Sequence, residues 1–226
     1  MKIKVYQIDP ERNDRISLFD SYHNTIQRVG CIDPTVYKTV YDGHVDTQDL
    51  EMVYTILNTD HPIGYNGHSL SVSDIVEIEG DGCYFCDTVG FRRLENFDSS
   101  KIAPIVGHRM LVLEPHKPPY EMVIPHGLHP LQQAVGGNIE CTYPFEDNVF
   151  VISNDESKLL GLEGNRRING GIYAGVMLLA ADDGWGDTTD LTDDQIRQYT
   201  RMFQELEDIT PEEVQADNWM MFIGFG

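Results

Sequence analysis

Gly67-His68-Ser69-Leu70-Ser71-Val72-Ser73-Asp74-Ile75-Val76-Glu77-Ile78-Glu79-Gly80-Asp81-Gly82-Cys83-Tyr84-Phe85-Cys86-Asp87-Thr88-Val89-Gly90-Phe91 is the stretch whose reading decides the fold. It opens as a polar turn and becomes an alternating strand through Val72, Asp74/Ile75, Val76 and Ile78. Gly80-Asp81-Gly82 then turns the chain into a second strand from Cys83 to Val89. Two β-rich runs joined by a Gly-Asp-Gly loop predict a hairpin, which supplies the sheet of the first half.

Upstream, residues 2–8 read as an opening strand, followed by a polar turn over 9–14. Arg15 to Phe19 predicts a second strand, and Ser21 to Val29 a short helix stopped by Gly30. Val36 to Tyr41 is β-branched and aromatic, hence a strand, with Asp42-Gly43 turning it. Asp46 is a plausible N-cap for a helix whose apolar face is Leu50, Val53, Tyr54 and Leu57.

Beyond Phe91, Asn96 to Ser100 is polar and turn-rich, which places a domain boundary at about residues 96–106. The expected domains are 1–100 and 106–226. In the second, Arg109 to Leu113 and Tyr120 to Ile124 predict a hairpin around Glu114-Pro115-His116-Lys117-Pro118-Pro119. Leu128 to Val135 predicts a helix capped by Gly136-Gly137. Ile139 to Tyr143 and Val149 to Ser153 are two more strands, and Ile172 to Ala180 reads as one buried strand. Between them lies a polar, glycine-rich excursion. Thr192-Asp193-Asp194-Gln195 fits a capping box before a stripe of Ile196, Tyr199, Met202, Phe203 and Leu206. Thr210-Pro211-Glu212-Glu213 starts another helix, and Trp219 to Phe225 is an apolar docked strand or tail. The fold class is therefore α+β: two small sheet-plus-helix domains closed by an acidic helical C-terminal tail.

The 226 residues carry 37 acids against 16 Lys plus Arg, a net charge of −21. Residues 182–217 hold 12 of those acids and two arginines, Arg197 and Arg201, so about half the charge sits in one short segment. A field of this sign repels phosphate and disfavours direct nucleic-acid binding. It attracts basic surfaces. The candidate binding face is Asp182, Asp183, Asp187, Asp190, Asp193, Asp194, Glu205 and Asp208; the competing reading is a solvated surface that confers solubility. The longest apolar run, Ile172 to Ala181, is too short for a bilayer, and no signal-like h-region opens the chain, so a cytoplasmic location is expected. Four scattered cysteines (Cys31, Cys83, Cys86, Cys141) fit reduced thiols.

Several words agree with a family. Gly67 to Val76, Asp87 to Phe91, Tyr37 to Gly43 and Leu50-Glu51 resemble the YodL-like domain. Leu131-Gln132, Val135 to Glu140, Asn154-Asp155-Glu156, Lys158-Leu159, Asn165-Arg166, Gly171-Ile172-Tyr173 and Leu191 to Gln195 resemble a domain of unknown function that often accompanies it. The two resemblances cover most of residues 12–204. They imply a setting: phages and conjugative elements of gut-type Firmicutes, often beside antirestriction modules. They carry over no catalytic residue.

No motif argues strongly for chemistry. Gly67-His68-Ser69-Leu70-Ser71 approaches a nucleophile elbow, but Ser71 stands where Gly is required and a strand follows instead of a helix. Ser69, Ser71 or Asp74 are instead expected to bond loop amides at the strand entry. Cys83 and Cys86 lack a partner pair, and residues three apart on a strand face opposite sides, so one inward and one outward thiol is expected and no metal. His116, His126 and His129 lie in a proline-rich region, where His126 and His129 could meet only if locally helical. If a small anion binds anywhere, the excursion offers Asn154, Glu156, Asn165, Arg166 and Arg167. The leading expectation is a non-enzymatic accessory protein of a mobile element or phage, without catalytic residues, metal or cofactor. Its partner would be a basic host protein such as a nuclease, a methyltransferase or another defence effector, with no nucleic acid or membrane bound. The alternatives are a nucleotide-signal sponge, which needs a pocket lined by arginine and aromatic side chains, and an uncharacterised structural or interaction protein. An enzyme would need a cleft with titratable groups in mutual contact.

Overall fold

The computed structural model describes residues 1–12 and 18–223, with 218–223 as helical backbone. The chain divides into two compact units, Met1–Ile105 and Val106–Gly226.

The first unit is built on an antiparallel five-stranded sheet. Its strands are β1 (Lys2–Ile8), β2 (Tyr37–His44), β3 (Ile75–Ile78), β4 (Gly82–Cys86) and β5 (Phe91–Arg93), in the order β2-β1-β3-β4-β5. The Gly80-Asp81-Gly82 hairpin pairs Ile75 with Phe85 and Ile78 with Gly82. Helix α1 (Tyr22–Val29) is closed at both ends by local chemistry: the Ser21 side chain accepts from the Asn24 amide, and Gly30 sits at φ 90°. Tyr22 and Val29 pack with Tyr6, Ile8, Tyr37, Ile75, Cys83 and Phe85 in one core cluster. Helix α2 (Leu50–Thr59) buries Val53 and Leu57.

Five expectations need correction here. Asp42 and Gly43 do not turn the chain; they lie inside β2, opposite Lys4 and Ile3 of β1. The N-cap of α2 is Asp49, whose carboxylate accepts from the Glu51 amide, not Asp46. Tyr54 of the expected apolar face is exposed. Val72 to Asp74 stay out of β3, because Ser73 takes φ 81° and the chain is held as a loop. The return strand stops at Cys86, turns through Asp87–Gly90, and adds the unforeseen β5. The expected strand at Arg15–Phe19 falls largely outside the described residues, and Leu18-Phe19 form a turn.

The second unit centres on β12. Its strands are β6 (Gly107–Leu113), β7 (Tyr120–Pro125), β8 (Ile139–Thr142), β9 (Val149–Asn154), β10 (Gly164–Ile168), β11 (Gly171–Ala174), β12 (Met177–Asp182) and β13 (Thr188–Thr189). The large sheet runs β7-β6-β12-β9-β8, with β13 also on β12, and β10 with β11 forms a separate hairpin. Both faces of the large sheet are covered, which is why Met177-Leu178-Leu179-Ala180-Ala181 reads as a continuous apolar run. On one face Leu111, Val151, Met177 and Leu179 meet Leu191, Tyr199 and Phe203, so α4 (Asp193–Met202) lies there. Burying two such aromatics contributes about 1.5–3 kcal/mol each. Helix α3 (Leu128–Val135) packs on β7, β8 and β9, burying Ala134 and Val135.

The single strand expected from Ile172 to Ala180 is two strands. Gly175 at φ 71° breaks it, so that Ile172 and Ala174 pack with Ile209 and with Val214, the latter on α5 (Pro211–Ile223). The excursion before it contains β10 and is not all loop. The capping box of α4 is present, Thr192 and Gln195 each bonding the other's backbone amide. Met202 and Leu206, expected on the buried stripe, are exposed because α4 ends at Met202. Where a docked strand was expected from Trp219, α5 continues to Ile223; residues 224–226 and the side chains beyond Asp217 lie outside those described.

Candidate functional site

The acidic segment separates into carboxylates that hold the second unit together and carboxylates that do not. Arg109 on β6 is the main internal cation. Its guanidinium grips Glu121 with two bonds, 2.6 and 2.8 Å, and Asp193 at 2.5 Å, and its backbone amide donates to Asp190 at 2.9 Å. The guanidinium holds the Asp193 carboxyl below the usual carboxylate range. His108 Nδ1 lies 3.5 Å from Asp190. Asp194 pairs with Arg197 one turn along α4. Arg167 takes Glu207 and Glu213, both at 2.7 Å, and Lys158 takes Asp217 at 2.5 Å. Among the described residues, no cation lies within ion-pairing distance of Asp182, Asp183, Asp187, Glu205 or Asp208, in contrast to these pairs.

Three of those five carboxylates belong to one hairpin tip, Asp182-Asp183-Gly184-Trp185-Gly186-Asp187, between β12 and β13. The tip is pinned from within. Asp182 Oδ1 accepts from the Gly184 amide at 2.6 Å, and Asp183 Oδ1 accepts from the amides of Trp185 at 2.7 Å and Asp187 at 3.1 Å. The Asp183 amide donates to the Asp187 carbonyl. The Asp182 carbonyl accepts from Asn148 Nδ2 at 2.7 Å, and its Oδ2 from the Tyr143 hydroxyl at 3.0 Å. The Gly184 amide first, and then Tyr143, keep the Asp182 carboxyl charged to lower pH than usual. Gly184 and Gly186 both take positive φ, 86° and 96°, a conformation that a side chain would strain. Trp185 between them is 91% exposed. Tyr143, stacked on Phe150 at 5.3 Å and bonded through its hydroxyl to Asp182, is 59% exposed. Sequence reasoning passed over Trp185, although the signal was legible: an indole between two glycines and three aspartates has no apolar neighbours to pack with.

Of the five residues offered for an anion, four have side chains engaged in the fold, and the exposed Glu156 contributes its backbone amide. Asn154 Oδ1 accepts from the Glu156 amide, and its Nδ2 donates to the Gly136 carbonyl at 3.1 Å. Asn165 Nδ2 donates to the carbonyls of Leu113 and Gly175. Arg166 is 1% exposed and donates to the carbonyls of Asn165, Lys117 and Phe203 and to Asn165 Oδ1. Among the described residues no carboxylate is bonded to it, and burial lowers its pKa. Arg167 carries Glu207 and Glu213. The structure therefore brings Asn165 and Arg166 into contact, but as a staple between strand and helix end, not as a cradle.

In the first unit the polar loop of the opening stretch closes over Gln7. Gln7 Nε2 donates to Asp74 Oδ2 at 3.0 Å and to the His68 carbonyl at 2.8 Å, and its Oε1 accepts from the His68 amide. Asp74 Oδ2 also accepts from the Ser71 amide at 2.8 Å, the loop-amide role expected of it. Burial pushes the Asp74 carboxyl up to about 7, against the opposing pull of Ser71, His68 and Gln7. His68 Nδ1 lies 3.8 Å from Asp74 Oδ2 and 2.8 Å from the Ser69 carbonyl, to which the Ser71 hydroxyl also donates, so that hydroxyl bonds a carbonyl and not the imidazole. Ser73 is held at positive φ by three bonds: to the Phe19 amide, the Tyr37 hydroxyl and the Cys86 carbonyl. Both thiols of the Cys-x-x-Cys are buried, where one was expected outward, because each face of this sheet is covered. Burial raises Cys83 to about 11 and Cys86 to about 12. His126 stacks on His108 at 4.3 Å and is not paired with His129. Among the described residues no group of three or more His, Cys, Asp or Glu is arranged to hold a metal ion. Among them, too, no helix is long and apolar enough to cross a membrane.

Comparison with known families follows the division of the chain. Residues 2–97 match the YodL-like domain, and residues 108–204 match a domain of unknown function (DUF3846). The chain is thus a YodL-like domain followed by that second domain, in the order read from the residues. No curated protein and no solved structure matches it.

Proposed function

We propose that this is a non-enzymatic accessory protein of a phage or other mobile element, acting in the bacterial cytoplasm. Its second unit binds a basic host defence protein, a nuclease or methyltransferase, and its carboxylates occupy the place of nucleic-acid phosphate. The observation that carries the reading is the set of carboxylates without a cationic partner among the described residues, Asp182, Asp183 and Asp187 on one hairpin held by its own hydrogen bonds together with Glu205 and Asp208, on a chain of net charge −21. Internal pairing consumes Asp193 and Asp194, so the proposed face is smaller than the acidic segment as a whole. Electrostatic attraction of this kind sets encounter rate and selectivity more than affinity.

The test is functional. Purified restriction nucleases and methyltransferases of a bacterial host are assayed on DNA with the full chain added. Inhibition is expected, and the combined variant Asp183→Asn, Asp187→Asn, Glu205→Gln, Asp208→Asn should relieve it while keeping the amide-accepting oxygens of the hairpin. Full enzyme activity across the panel contradicts the reading. No observation favours the nucleotide-sponge alternative: of its candidate residues Asn154, Asn165 and Arg166 are buried, and the exposed Arg167 is paired with Glu207 and Glu213.

A further inference from the structure

We infer that Trp185 is the anchor by which this protein seats in an apolar slot rimmed by lysine or arginine on a basic protein partner. The inference rests on the acidic reading above and adds to it the residue that supplies affinity.

An indole 91% exposed costs the free protein solubility and returns nothing to its own core. The loop that carries it is nevertheless well fixed. Asp182 and Asp183 spend one carboxylate oxygen each on the amides of Gly184, Trp185 and Asp187, so the tip holds its shape without Trp185 packing on anything. Such preorganisation removes the ordering cost that a flexible loop meets on binding. Tryptophan is the residue type most enriched among binding hot spots, and its face attracts cations. Tyr143, its ring stacked on Phe150 and its hydroxyl on Asp182, extends the aromatic surface next to the hairpin base.

The surrounding charge selects the occupant. A single-stranded nucleic acid offers bases to stack on an indole, but its phosphates would meet Asp182, Asp183 and Asp187. An anionic membrane meets the same repulsion, since interfacial tryptophans are supported by basic neighbours. A second copy of the chain sharing this tip would bring the same three carboxylates face to face across the contact. A slot with apolar walls and a cationic rim satisfies both the ring and the carboxylates.

The test uses the full chain labelled with 5-fluorotryptophan, the Trp185 fluorine resonance being assigned by its disappearance in Trp185→Ala. A phage-displayed random peptide library is panned on the unlabelled protein, and the enriched peptides are titrated. The inference predicts peptides that combine Lys or Arg with apolar residues, move the Trp185 resonance, and bind Trp185→Ala at least tenfold more weakly. Trp185 is exposed, so this variant keeps the fold, and circular dichroism checks that. Enriched peptides that bind Trp185→Ala with unchanged affinity, or no enrichment, overturn the inference. So does a Trp185 resonance that moves instead with a single-stranded oligonucleotide, with phosphatidylglycerol vesicles or with protein concentration alone. If salt and Asp183→Asn/Asp187→Asn weaken the peptides while Trp185→Ala does not, the anchor is refuted and the acidic reading stands. If Trp185→Ala weakens them and salt does not, the acidic reading is the one refuted.

Discussion

Replacing Asp74 by Asn should make the protein more stable at neutral pH and leave it little changed in acid. Asp74 is 1% exposed, and its Oδ2 accepts from Gln7 Nε2 and the Ser71 amide. Burial lifts its carboxyl from the ordinary 3.8 to about 7. A group whose folded pKa is raised is favoured in its protonated form by the fold. Its contribution is complete below about pH 4 and is lost as pH rises through 7. At about 1.4 kcal/mol per pH unit the whole span corresponds to roughly 4 kcal/mol, of which roughly 3 falls between pH 5 and 8. An asparagine in the same rotamer keeps an oxygen for both donors and never ionises. Urea unfolding of the two proteins at matched pH, followed by circular dichroism, cancels every other titration in the difference. The Asp74→Asn protein should gain on the wild type by roughly 3 kcal/mol from pH 5 to 8. His68→Gln in both backgrounds removes the one histidine facing the carboxyl, 3.8 Å away, and should leave most of that gain. Parallel stability curves would refute the claim that this carboxyl is held back from ionising.

Arg166→Ala removes the donor to four acceptors, three of them in buried bonds, and opens a cavity, so a loss of about 3–5 kcal/mol is expected in urea unfolding. Arg109→Ala breaks shorter but more exposed contacts to Glu121 and Asp193, and should cost only about 1 kcal/mol. Gly67→Ala would place its Cβ 2.4 Å from Gln7 Oε1 and 3.0 Å from Val40 Cβ; the displaced loop should lower stability by about 1–3 kcal/mol. A thiol reagent at pH 8 should titrate Cys31 and Cys141 in the folded protein, and Cys83 and Cys86 only after denaturation.

What the residues revealed followed the range of the forces involved. Helix α1, helix α3 and the capping box of α4 were legible to within a residue, because Ser21, Gly30, Gly136 and the Thr192–Gln195 pair act on their own backbone neighbourhood. The Gly80-Asp81-Gly82 hairpin was legible for the same reason. Strand ends were not. β2 runs through Asp42-Gly43 because β1 pairs with it there, a contact made forty residues away in the chain. The apolar run over Ile172–Ala180 hid a break, since Gly175 lets one half serve the β10–β11 hairpin and the other the large sheet. Arg166 read as a surface cation, yet neighbouring carbonyls in three separate segments draw it inside. The acidic segment was plain as composition. Which carboxylates would find arginines depended on where β6 and β10 carry Arg109 and Arg167, and no local pattern encodes that.

In the proposed complex the hairpin carboxylates with Glu205 and Asp208, and not the paired ones, meet a basic surface. The most direct test is the salt dependence of affinity for an inhibited nuclease or methyltransferase, measured for the wild type and for the Asp183→Asn, Asp187→Asn, Glu205→Gln, Asp208→Asn protein. Wild-type affinity should fall steeply as salt rises, and that of the variant visibly less so. An affinity indifferent to salt, or identical slopes for the two proteins, would contradict it.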